Sequence, residues 1–168
     1  MALLVLAAFA IGLVMVELPL TMLLAKIIAY QAHKTIGLLV PIFVLWRLVL
    51  RARRGRPAED AGLPAWQRRA AAAGQGVLYA LLILVPLLGY LSASTAPGEI
   101  ETVMFLLIPV PHLLAANEAL YEIIRPIHQV AAWALVVLAA GHGAMAILHH
   151  RQGRGTLRAM LGRGAREG

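Results

Sequence analysis

The chain has 168 residues, 61% of them hydrophobic, with a mean hydropathy of +0.79 and only 14% charged side chains. A soluble domain carries about 45–50% apolar residues, so this surplus excludes a water-soluble globular fold and points to an all-α integral membrane protein in one domain. Cysteine is absent, which excludes disulfides, zinc–thiolate sites, iron–sulfur clusters and covalently attached c-type haem.

Four apolar stretches approach the roughly 20 residues that cross a bilayer as a helix. The first is expected over residues 2–20, the second over 33–50, the third over 74–94 and the fourth over 126–149. They form a four-helix transmembrane domain over 1–150, followed by a basic tail at 151–168. Pro41 and Pro86 fall inside the second and third spans, where a ring in place of an N–H kinks a helix. The first span lacks the charged leader and small-residue cleavage site of a signal peptide, so it reads as a retained helix. The connection between the third and fourth spans is long. Its stretch PHLLAANEALYEIIRP reads as a short amphipathic helix on the outer membrane surface, or as a lid over the bundle.

The basic residues are sorted along this pattern. Arg51, Arg53, Arg54, Arg56, Arg68 and Arg69 flank the 2–3 connection, and Arg151, Arg154, Arg158, Arg163 and Arg166 follow the fourth span. The other side holds Lys26, Lys34 and Arg125 among four glutamates. An excess of arginine marks the cytoplasmic side, which places both termini and the 2–3 connection there. Membrane topology thus explains the net charge of +7. The arginine runs lack interleaved aromatics, so no nucleic-acid partner is expected. Catalytic triads, phosphate loops and zinc motifs are absent.

Six histidines remain: His33, His112, His128, His142, His149 and His150. His128 and His142 stand fourteen steps apart on one helix, about 21 Å along its axis and about 40° around it. They share a face but lie too far apart for one metal ion. The topology places His33 and His128 at matching depth on different helices. That is what two axial ligands of one haem require, although each alone is also an ordinary interfacial residue. His142 sits in LAAGHGAMA, deep in the fourth span, where small neighbours admit a bulky planar group. Its alternative is a hydrogen bond across the bundle. Lys34 and Arg125 each neighbour a candidate ligand. They read as cationic partners for haem propionates, or as snorkelling side chains. His112 belongs to the outer connection, and His149 and His150 to the inner interface.

The stretches YQAHKTIGLLV, GVLYALLILVPLLGYLSAS and IHQVAAWALVVLAAGHGAMAILHHRQGRGTLRAML together resemble the bacterial cytochrome b-561 family over essentially the whole chain. The resemblance implies a four-helix inner-membrane protein with two b-type haems, each between two histidines, carrying electrons between quinone and a partner. One branch of the family oxidises superoxide and passes the electrons to ubiquinone. By position, His33 and His128 bind the outer haem and His142 the inner one. The family's partner for His142 is a histidine near the cytoplasmic start of the first span, ahead of a tryptophan. This sequence opens at MALLVLAAFAIGLVMVELPL without either, and the expectation is that an N-terminal segment is missing. Gln75 stands where relatives often carry histidine, which puts a histidine-dependent step at that end of the third helix in doubt.

The expected function is a membrane-bound b-type cytochrome between an outer-side donor and the quinone pool. Two further readings stay open: a cytochrome subunit docked on a separate oxidoreductase, and a haem-free small transporter or scaffold whose histidines serve packing or protons.

Overall fold

The computed structural model describes residues 1–55, 64–98 and 101–151. Helix α1 spans Ala2–Glu17 and ends at Leu18, whose extended backbone leads into Pro19 and a short 3-10 turn at Leu20–Met22. Helix α2 runs Leu23–Arg54, α3 runs Ala65–Thr95 and α4 runs Glu118–Arg151. These three are long and apolar enough to cross a membrane, and α1 is a shorter apolar helix of 16 residues. The 32 residues of α2 give about 48 Å of helix, against roughly 30 Å of hydrocarbon. Each long helix therefore exceeds its expected span. Pro41, Pro86 and Pro126 are all accommodated inside helices.

Packing pairs α1 with α2, α3 with α4, and joins the pairs through α2 and α3. Phe9 of α1 meets Trp133 of α4 edge to face at 4.7 Å, an arrangement that matches the ring quadrupoles. Arg51 lies over the Tyr79 ring at 5.9 Å and ties α2 to α3 near the arginine-rich end. The buried apolar core is thin among the described residues: Val40, Val44, Val85, Leu135 and Ala146. Large apolar side chains such as Leu24, Trp46 and Val130 point outward instead, as expected where lipid takes the place of water.

The connection between α3 and α4 departs from expectation. Among the described residues, no separate short helix lies there. Thr102–Met104 (β1) and Ile108–Val110 (β2) form an antiparallel hairpin with Thr102 opposite Val110 and Met104 opposite Ile108. Pro109 and Pro111 disfavour a helix through this stretch, and β-branched Thr102, Val103, Ile108 and Val110 suit strands. The segment EALYEIIRP forms the opening turns of α4, which begins at Glu118 rather than at Pro126. Asn117 caps it, its side-chain oxygen accepting from the Leu120 N–H at 3.0 Å. The Asn117 N–H donates to the Thr95 carbonyl and closes the connection onto the end of α3. Arg56 and the tail beyond Arg151 lie outside the described residues.

Candidate functional site

His33 of α2 turns toward α1, where its Nδ1 lies 2.8 Å from the carbonyl oxygen of Ala8. His128 of α4 turns toward α3, where its Nδ1 lies 3.0 Å from the carbonyl oxygen of Val85. A carbonyl only accepts, so in both rings Nδ1 carries the proton and donates. That fixes the tautomer and leaves the Nε2 lone pair of each ring available as a ligand.

The two anchors share a design. Four residues beyond each accepting carbonyl, on the same helix face, stands a glycine: Gly12 after Ala8, and Gly89 after Val85. A Cβ on Gly12 would sit 3.0 Å from the His33 Cε1, and one on Gly89 would sit 2.9 Å from the His128 Cε1. The missing side chain is what lets each ring lie against the neighbouring helix and reach its carbonyl. The two imidazoles face each other with centroids 6.2 Å apart and planes at 88°. Matched depth on α2 and α4 therefore translates into a facing pair.

Among the described residues, no three histidine, aspartate or glutamate side chains converge as a metal site. Two imidazoles alone make a poor cage for a bare ion. They suit a cofactor that brings its own equatorial donors.

The other candidates are placed less closely. Lys34 follows His33 on α2 and is half-buried. Arg125 lies one helical turn before His128, with its guanidinium 5.9 Å from the Tyr121 ring centroid. Lys26 donates to the Leu18 carbonyl at 2.7 Å, bracing the turn between α1 and α2. His142 is exposed on α4, with open space beside Gly141 and Gly143. It makes no hydrogen bond or ring contact with another described residue. His112 lies in the connection, its Nε2 3.1 Å from the Thr102 hydroxyl. Partial burial pushes its imidazole below the ordinary value; the nearby Lys34 cation adds to this and Glu101 opposes it. Tyr90 binds the same segment, donating to the Pro111 carbonyl and accepting from the Leu113 N–H.

Sequence reasoning missed Ala8, Gly12, Val85 and Gly89. The signal was present as AFAIG and VPLLG. In each, a glycine follows the residue whose carbonyl accepts from the histidine by one turn.

Comparison with known proteins identifies the family. The family model for prokaryotic cytochrome b561 matches residues 1–163. Cytochrome b561 homolog 2 of Escherichia coli (strain K12) is 36% identical over 136 residues, covering 80% of this chain and 71% of the relative. Cytochrome b561 homolog 1 of the same organism is 29% identical over 122 residues, covering 71% of this chain and 66% of the relative. With three helices of bilayer-spanning length and a family match over nearly its whole length, the chain belongs to the prokaryotic cytochrome b561 family of membrane cytochromes.

Proposed function

We propose that His33 and His128 together would hold one b-type haem, and that the chain carries electrons between a donor on the hairpin side of the membrane and the quinone pool. One observation carries the ligand assignment: both rings donate Nδ1–H to helix carbonyls on opposite sides, Ala8 and Val85, which frees both Nε2 atoms. Distance supports it: the two ring centroids are 6.2 Å apart, close enough for one group lying between them to be held by both.

A b-type haem held by His33 and His128 would supply a one-electron ferric–ferrous couple, and with both imidazoles bound it would favour electron transfer over oxygen binding. The chain's own groups set the conditions. The Ala8 and Val85 carbonyls orient the ligands and raise their basicity. Gly12 and Gly89 keep the rings seated. Lys34 and Arg125, adjacent to the pair, are the proposed cationic partners of the propionates. Together with Lys26 they favour an anionic donor such as superoxide, against the opposing charge of the nearby glutamates. His142, about 21 Å further along α4 than His128, is the proposed ligand of an inner haem. The sorted arginines support insertion in a bacterial inner membrane with both termini cytoplasmic.

The test is a dithionite-reduced minus oxidised spectrum of the purified protein, with haem quantified per chain. A Soret and α-band are expected, lost in His33→Ala and in His128→Ala and kept in His142→Ala. Absence of both bands in the parent chain returns the protein to the haem-free transporter or scaffold class. Haem retained after loss of both His33 and His128 overturns the ligand assignment.

A further inference from the structure

The hairpin between α3 and α4 runs along α2, and its hydrogen bonds fix how far. The Gln31 side chain donates to the Glu101 carbonyl at 2.8 Å and accepts from the Val103 N–H at 2.9 Å. One helical turn further toward the arginine-rich end, the Thr35 hydroxyl accepts from the Phe105 N–H at 3.2 Å. β1 therefore descends alongside α2 by about 6 Å between these two contacts, and the turn at 105–107 lies at its deepest point.

That depth can be measured against the charged end of α1. Gly12 packs on the His33 ring, and Glu17 stands five residues beyond it, about 7–8 Å higher. Thr35 lies two residues deeper than His33. The tip is thus about 10 Å below the level of Glu17, at the outer margin of the apolar zone of the bundle that begins after Lys34.

The tip is built for that zone. Phe105, Leu106, Leu107 and Ile108 are all exposed, Leu107 to 81%. Its backbone donors are satisfied within the protein. Val103 and Phe105 donate to α2, Leu106 donates to the Val103 carbonyl and Leu107 to that of Met104. Val103 stands opposite Pro109. Because the Val103 N–H points away from β2, the same position on β2 would direct an N–H outward, and a proline has none. Hydrocarbon tolerates irregular backbone only where such donors are satisfied. In return the hairpin covers Gln31 and Thr35, which are only 6% and 7% exposed. Without it these two polar side chains would face lipid.

The haem-ligand pair does not account for the apolar tip. Gln31 and Thr35 each lie about 160° around α2 from His33. The hairpin therefore occupies the opposite face of the helix from the facing imidazoles.

We infer that residues 105–108 are a membrane-inserted hairpin tip, seated among the acyl chains of the leaflet on that side of the bundle. The inference rests on the membrane-spanning reading of α2 and is independent of whether haem binds. The chain has no cysteine, so single sites can be labelled without background. Leu107→Cys carrying a nitroxide is placed in phosphatidylcholine nanodiscs, where both faces are open to solvent and orientation does not matter. Ala115→Cys, on the exposed connection, is the aqueous reference, and Val130→Cys, outward on α4, is the lipid reference.

Collision with a water-soluble nickel chelate is expected to be about tenfold lower at residue 107 than at 115, with oxygen collision as high as at 130. Nickel accessibility equal to that at 115 overturns the inference. Low accessibility to both reagents with spin–spin broadening also overturns it, in favour of a second copy covering the tip. Leu106→Cys repeats the measurement if Leu107→Cys does not fold. The absorbance spectrum of the same samples reports separately on the haem assignment.

Discussion

Gly12 and Gly89 do for the two imidazoles what no other residue type allows at those positions. Each removes the one side chain that would separate a ring from the carbonyl it binds. Restoring a methyl forces the ring to tilt or the helices to part, and overpacking of this kind costs about 1–3 kcal/mol. Gly89→Ala and Gly12→Ala are therefore expected to weaken haem binding by about 5- to 150-fold in a Soret titration. Gly37→Ala is the control, because nothing lies within 4 Å of its position and alanine favours the helix. Equal affinity in all three variants would mean that the glycines are not seating the rings. At this scale the sequence was half legible. His33 and His128 could be matched by depth, because charge sorting orients the spans and helical rise does the rest. Their anchors could not. Which carbonyl receives each ring depends on which helix faces meet, and apolar spans that face lipid on one side and protein on the other carry little periodic signal. His142 shows the same limit: its depth and its glycine neighbours were readable, while its surroundings are open among the described residues.

Among the elements, the long helices followed from hydropathy and the hairpin did not. The stretch PHLLAANEALYEIIRP has helical spacing throughout, but two local signals cut it. Pro109 precedes it and Pro111 opens it in an extended run, and Asn117 caps a new helix at Glu118. Pro126 then looked like a boundary, yet α4 continues through it. A membrane helix tolerates proline when neighbours and local adjustment satisfy the freed carbonyl. The hairpin's own chemistry predicts a pH response. The His112 imidazole, held by Thr102, lies below its ordinary value of 6.5 because of burial and then Lys34. Once the hairpin opens, that value returns to about 6.5. Between the two values the open form binds more protons, so closure strengthens as pH rises. The contribution is intact above about pH 6.5 and is lost as pH falls toward the closed-state value. Exchange of the Val103 and Phe105 amides, corrected for intrinsic chemistry, is expected to accelerate from about pH 7.5 to about pH 5.5. His112→Gln should flatten that dependence. A parent profile already flat would show that His112 does not bear on hairpin closure.

For the molecule as a whole, the thin core raises the question of what holds the two helix pairs together. α1 packs on α2 and α3 on α4, and the facing histidines belong one to each pair. Phe9 on Trp133 and Arg51 over Tyr79 add contacts between the pairs. The edge-to-face pair is worth only about 0.5–1.5 kcal/mol beyond the area it buries, and the half-buried cation–π contact about 0.5–1 kcal/mol. A ligand held by both His33 and His128 would join the pairs, so much of the bundle's stability is expected to be linked to it. Binding only the folded state at free ligand about 1,000-fold above its dissociation constant stabilises by about 4 kcal/mol. For a chain of this size that is a shift of about 8–16 °C in Tm. Thermal melts of the detergent-solubilised protein, followed by circular dichroism, should therefore rise by about 10 °C on haem addition to the apo form. The rise should vanish in His33→Ala and His128→Ala, whose own apo melts should stay close to that of the parent apo protein. A parent melt that does not respond to haem would assign the cohesion of the bundle to its helix contacts and to lipid alone.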